Sequence, residues 1–147
     1  YEEIIRLDCF NDEFLKEAPN LNIEAEFSNS LVIYDDVDSI TDKKEKKIIY
    51  GLLNKMLRIG RHFNTSVAYV GHELYASHEL KSILNESHSI TWFGKFLNFK
   101  KLNYLLKEYF GLSKDQIAKI LALKDRSTTY IKGMNKVVLT PTECFIL

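Results

Sequence analysis

Two apolar runs of strand length, separated by one helix-length amphipathic segment, constrain this chain more than any other feature. Ser30-Leu31-Val32-Ile33-Tyr34-Asp35-Asp36 and Thr65-Ser66-Val67-Ala68-Tyr69-Val70-Gly71 are β-branched and aromatic runs bounded by polar residues, the pattern of strands buried on both faces. Between them, apolar residues fall at Ile48, Ile49, Leu52, Leu53, Met56 and Leu57, a three-to-four spacing that draws one stripe along a helix. Thr41 or Asp42 caps its start and Gly60 its end. Strand, helix, strand is a βαβ unit, so the first run is expected to be a central strand of a parallel sheet.

The remaining residues extend this α/β alternation. Ile4, Ile5 and Leu7 suggest a short strand, and residues 11–18 a short helix stopped by Pro19. A helix is expected at 77–85, a strand at 89–93, and helices at 99–110 and 113–123 with Gly111 between them. Residues 128–132, 136–140 and 144–147 read as β. No repeat, low-complexity stretch or linker interrupts the 147 residues, so 1–147 reads as a single domain with 30–93 and 99–147 as its two stretches. A hydrophobic content of 46% opposes disorder, and no run approaches the ~18 apolar residues of a membrane span. Cys9 and Cys144 are too few for a disulfide framework or a zinc cluster, which fits a reducing compartment. His62, His72, His78 and His88 lack the i, i+4 spacing of a helical metal pair.

A net charge of zero hides an asymmetry. Residues 1–42 carry 12 acidic and 2 basic side chains, a net −10, and residues 43–147 carry 8 acidic and 18 basic, a net +10. The basic stretch suits an anionic partner such as nucleic acid or nucleotide phosphate, and the same numbers suit two solvated faces of opposite sign. The run Lys43-Lys44-Glu45-Lys46-Lys47 reads the same two ways, as a phosphate contact or as a solvated turn.

The chemistry concentrates at Asp35 and Asp36, adjacent carboxylates at the carboxyl end of a strand, where open α/β sheets bind their ligands. Four apolar residues, an Asp and a second acid have the form of a Walker B motif. The first carboxylate would hold Mg²⁺, a hard cation that takes oxygen ligands, and the second would orient or deprotonate a water. The same residues also fit a strand ending in a solvated polar turn of Asp35, Asp36 and Asp38.

Beyond this strand come Arg58-Ile59-Gly60-Arg61-His62-Phe63-Asn64 and then Gly71-His72-Glu73 at the end of the next strand. In this order of parts the chain resembles the FtsK/HerA class of P-loop ATPases, and within it the poxvirus-type DNA-packaging ATPases of large eukaryotic DNA viruses. The resemblance is best over residues 30–75, looser toward the C-terminus and slight before residue 28. It implies a partial RecA-like P-loop NTPase core with a mainly parallel sheet, followed by C-terminal helices and a short β segment. It also implies ATP and Mg²⁺ as cofactors and a homo-oligomeric ring that translocates double-stranded DNA. Capsid or portal-like vertex proteins would be partners, in a cytoplasmic virus factory or the virion.

By the resemblance, Asp35 is the Mg²⁺- and nucleotide-associated acid and Asp36 the catalytic acid, where many relatives carry Glu. Arg61 matches an arginine inserted into a neighbouring subunit's site, and His72 a phosphate sensor. Arg126, near the start of the C-terminal β segment, offers a second phosphate contact. The departure is that G-x-x-x-x-G-K-[ST] is absent, since Gly94-Lys95 lacks both the upstream Gly and the following hydroxyl residue. A P-loop is therefore expected upstream of Tyr1, and this stretch alone is expected to be inactive. A rival signal runs from Leu112 to Tyr130, where a Ser113 cap, Ala118 and a polar second segment resemble a helix-turn-helix. It would make the chain a non-enzymatic DNA-binding or adaptor domain.

Overall fold

In a computed structural model, which describes residues 4–72, 78–93 and 98–147, the chain is a mixed α/β protein with two separate sheets. It divides into two units, Tyr1–Glu73 and Leu74–Leu147.

In the first unit, residues 4–8 have no regular structure, so the expected strand around Ile4 and Ile5 is not formed. Alternation alone makes no strand when no sheet edge accepts its backbone. The Asn11 side chain accepts N–H bonds from Glu13 and Phe14 and so starts α1 (Asp12–Glu17). Pro19 then sits inside a 3-10 turn, Ala18–Asn20. A five-residue helix, α2 (Ile23–Phe27), is capped by Asn22 and is too short to show a period in the sequence. The first apolar run is β1 (Leu31–Asp35), followed by a 3-10 turn at Val37–Ser39. The amphipathic segment is α3 (Lys43–Ile59), N-capped by Asp42 rather than Thr41, with Gly60 as its C-cap. After a second 3-10 turn, Gly60–Phe63, the chain enters β2 (Ser66–Val70).

β1 and β2 pair in parallel, with Val32 opposite Val67, Tyr34 opposite Tyr69 and Asp35 opposite Val70. The side of Tyr34 faces α3, where the Tyr34 hydroxyl donates to Met56 Sδ at 3.2 Å. The other side is open: Leu31 is 61% exposed, Ile33 60% and Val70 50%. β1 is therefore half of a two-stranded sheet covered on one face, not a central strand buried on both. The apolar run is real, but among the described residues of this unit α3 is the only helix with the length to cover a sheet, and it lies on one side.

The second unit opens with α4 (His78–Glu86) and β3 (Ser89–Trp92). α5 (Phe99–Glu108) follows, and the chain leaves it through Gly111 at φ +59°, a left-handed conformation that glycine adopts without strain. Ser113 and Gln116 form a reciprocal capping box at the start of α6 (Lys114–Leu121). Then come β4 (Thr128–Ile131), β5 (Val137–Leu139) and β6 (Cys144–Ile146). The order β3-β4-β5-β6 is antiparallel throughout, which corrects the expectation of a mainly parallel sheet. The links after β4 and β5 are hairpin-length, and a parallel return needs a crossover of a dozen or more residues. The second helix of a helix-turn-helix is likewise absent, because Thr128-Thr129-Tyr130-Ile131 is β4, with Thr128 and Tyr130 buried.

One core joins these elements, with Leu106 and Val138 fully buried and the rings of Phe110 and Tyr130 centred 5.2 Å apart. Lys132 Nζ donates to the carbonyls of Leu84 and Asn85, closing the end of α4, and lies over the Phe110 ring. Among the described residues, no helix is long and apolar enough to cross a membrane.

Candidate functional site

Parallel pairing brings the carboxyl ends of β1 and β2 to the same edge, and the polar residues of both runs collect there. The Asp36 N–H donates to the Val70 carbonyl at 3.2 Å, carrying the ladder one residue past β1. Asp36 itself is left-handed at φ +53°, a conformation that Asp tolerates better than most residues. It turns the chain so that the Asp36 side chain leaves the strand's alternation. The Ser39 N–H and hydroxyl both donate to the Asp36 carbonyl, at 3.0 and 2.6 Å. Val37 and Ile40 are buried on either side of this turn and pin it down.

From the β2 side, Gly71 lets the chain pass close to the Tyr69 ring, which a Cβ at residue 71 would meet at 2.8 Å. The Tyr69 hydroxyl lies 3.0 Å from that of Tyr50 on α3. His72 follows, with Nε2 at 2.8 Å from Asp36 Oδ1 and its backbone N–H donating to Asp38 Oδ2 at 2.9 Å. Lys46 Nζ donates to the Asp38 carbonyl at 3.2 Å. The Asp36 and His72 side chains are exposed, so water screens their attraction and it adds little to stability. What the contact supplies is geometry: an imidazole fixed beside a carboxylate, with Asp35 exposed one residue away.

Beneath the tip, burial first and the nearby Cys9 second push the Tyr34 phenol well above its ordinary value. Burial, then the charge of Asp8, raises the Cys9 thiol. Tyr34 is thus a neutral anchor just before Asp35.

The structure brings Asp36 and His72 into contact, with Asp35 the residue before Asp36 at the end of β1. It does not bring Arg61 to them. Arg61 is exposed in the turn before β2, at the opposite end of a five-residue strand and so about 17 Å away at ~3.3 Å per residue. Arg126 is exposed in a bend before β4 of the second unit. Glu73 and the Gly94-Lys95 pair lie outside the described residues. Two residues make contacts that the sequence did not single out: Asp38, which there belongs only to the alternative of a solvated polar turn, and Lys46, which belongs to a basic run. The Asp-Asp-x-Asp-Ser spacing of a 3-10 turn was the available signal for Asp38.

No family model matches the chain, and no solved structure matches it. Over 134 residues it is 31% identical to "Uncharacterized protein V3" of Sputnik virophage, covering 90% of this chain and 54% of that protein. The chain spans about half the length of the curated relative it matches.

Among the described residues, no group of three or more His, Cys, Asp or Glu side chains converges as a metal cage. That leaves room for a Mg²⁺ that keeps waters and takes one carboxylate plus substrate phosphates, the kind of partner the exposed Asp35 fits. Two open surface hollows, one around Lys124 and Thr142 and the other around Asn54 and Arg58, do not touch the strand tips.

Proposed function

We propose that this chain is the Walker B-to-sensor part of a P-loop ATPase of the FtsK/HerA class, built on a RecA-like core. In that reading it belongs to a viral DNA-packaging motor that drives double-stranded DNA by hydrolysing ATP. One observation carries the reading: Asp36 at the tip of one parallel strand and His72 at the tip of the next stand 2.8 Å apart, with Asp35 beside them. The likeness to a virophage protein supports a viral setting.

Bound with ATP, Mg²⁺ supplies charge neutralisation on the phosphates. Asp35 would hold it, directly or through water, as an exposed oxygen ligand. Asp36 would orient the attacking water and take its proton. His72 Nε2–H would donate to the Asp36 carboxylate, and in the same place it would sense the γ-phosphate. Arg61 lies at the far end of β2 and cannot serve the carboxylates of its own chain, so its guanidinium would act on a neighbour's nucleotide in a homo-oligomeric ring. Arg126 would add a phosphate contact. The second unit has 11 basic and 6 acidic side chains, and its excess positive charge suits DNA phosphates.

In the full-length protein, Asp36→Ala is expected to cut ATP turnover by at least about a hundredfold while leaving nucleotide affinity within about threefold. Steady-state hydrolysis and nucleotide titration measure the two. Normal hydrolysis by the variant refutes the Walker B assignment.

A further inference from the structure

We infer that Asp38 is a positioning residue that holds His72 against Asp36 and makes the two strand tips one rigid part. Its structural consequence rests on hydrogen bonds alone, and its catalytic consequence rests on the ATPase reading above.

Past the Asp36 N–H bond to Val70, β1 and β2 diverge: one strand enters the 3-10 turn Val37–Ser39 and the other reaches Gly71. Asp38 Oδ2 bridges the gap by accepting the His72 N–H at 2.9 Å. His72 is thereby held at two points, its backbone on Asp38 and its Nε2 on Asp36. Two attachments fix both the position and the direction of the imidazole, where one would leave it free to swing into solvent.

The main chain that carries this carboxylate is itself braced. Val37 and Ile40 bury the turn, the Asp36 carbonyl takes both Ser39 donors, and Lys46 reaches from the first turns of α3 to the Asp38 carbonyl. The three acids of the tip therefore divide the work. Asp35 is exposed and open to a cation, Asp36 faces His72, and Asp38 holds the main chain. The acceptor, not the charge, matters at residue 38, because an Asn Oδ1 can take the same N–H.

The test uses Asp38→Ala and Asp38→Asn in the full-length protein, with residue-resolved amide exchange in the absence of nucleotide and steady-state ATP turnover. In Asp38→Ala the His72 amide is expected to exchange at least about tenfold faster while Leu52 and Leu53 in α3 keep their rates, since the opening is local. Turnover is expected to fall about ten- to a hundredfold at a nucleotide KM within about threefold, the size of a small misplacement of a reacting group. Asp38→Asn should restore both.

An unchanged His72 exchange rate in Asp38→Ala overturns the inference. So does an Asp38→Asn as impaired as Asp38→Ala, or faster exchange throughout the first unit, which would make Asp38 a fold-stabilising residue only. A freed His72 amide with undiminished turnover overturns the catalytic consequence. If Asp36→Ala hydrolyses ATP normally, the ATPase reading fails by itself and the exchange data still decide what Asp38 holds.

Discussion

The two units make their cores from different parts. In the first, the sheet contributes only Tyr34 to the buried set, while α3 supplies Ile49, Tyr50, Leu52, Leu53 and Met56, with Val37 and Ile40 coming from the turn after β1. In the second, the strands themselves are core, with Trp92, Tyr130 and Val138 packed among Leu105, Leu106 and Ile117 of the helices. Charge divides the same way: 14 acidic against 9 basic residues in Tyr1–Glu73, and 6 against 11 in Leu74–Leu147. A strand pair relieved of most packing can end in exposed carboxylates and a histidine without cost to the interior. A sheet that is itself the core carries neutral hydroxyls, Thr128 buried and Thr91 bonded to Thr129, and keeps its charges outside the strands, as in the Lys132 cap on α4.

The strongest way to break this contrast is to cut each core at its centre. Leu106 and Leu53 are both fully buried, and truncation of either to alanine is expected to cost about 2–5 kcal/mol, the lost transfer energy plus the cavity left behind. Denaturant melts of Leu106→Ala and Leu53→Ala measure it. A loss under about 1 kcal/mol at either position would mean that the helix face has been wrongly taken as core.

The same contrast explains what could be read from the residues alone. Helix α3 was legible almost to its ends, because six apolar residues on one stripe, an Asp cap and a terminal Gly all agree. The capping box at Ser113 and the stop at Gly111 were legible for the same reason. The partners of the strands were not. An apolar run such as Leu31–Asp35 says that side chains want cover, and nothing in it says how many neighbours the strand has or which way they run. β3 belongs to an antiparallel sheet with β4, 38 residues later at the Thr91–Thr129 pair, a long-range choice that no local period records. At the site, Asp35, Asp36 and His72 were legible because they end recognisable strands. Asp38 was not, since its bond is to a main-chain N–H 34 residues away.

A subtler difference is chemical. Tyr34 is the one strand residue of the first unit in the buried set, and its phenol is raised above the ordinary 10.0 mainly by burial. As pH climbs past about 10, the unfolded chain loses this proton while the folded chain keeps it. The folded state then binds more protons, so stability falls as pH rises, and below that range the contribution is constant. Tyr34→Phe should remove this part of the alkaline decline. At neutral pH it should cost about 0.5–1.5 kcal/mol for the bond to Met56 Sδ. Urea melts of both proteins at about pH 7 and pH 11 compare the slopes. Burial raises Tyr130 in the second unit as well, so a smaller decline remains in the variant. An identical decline in both proteins would remove Tyr34 as its source.

The smallest effect tests the open side of the first sheet. Leu31, Ile33 and Val70 line it and are at least half exposed, whereas parallel sheets are ordinarily covered on both faces. Ile33→Thr keeps a β-branched side chain, so strand propensity barely changes and the measurement reports burial. With the face in water, the substitution should shift stability by less than about 0.5 kcal/mol. A buried isoleucine is worth about 1.5–3 kcal/mol, well separated from that value. Melts with and without Ile33→Thr therefore give a clear reading. A cost near zero keeps the contrast between a one-sided sheet and a strand-built core. A cost above about 1.5 kcal/mol would place a covering layer on Ile33, and the first unit would then be two-sided in the way its apolar strands demand.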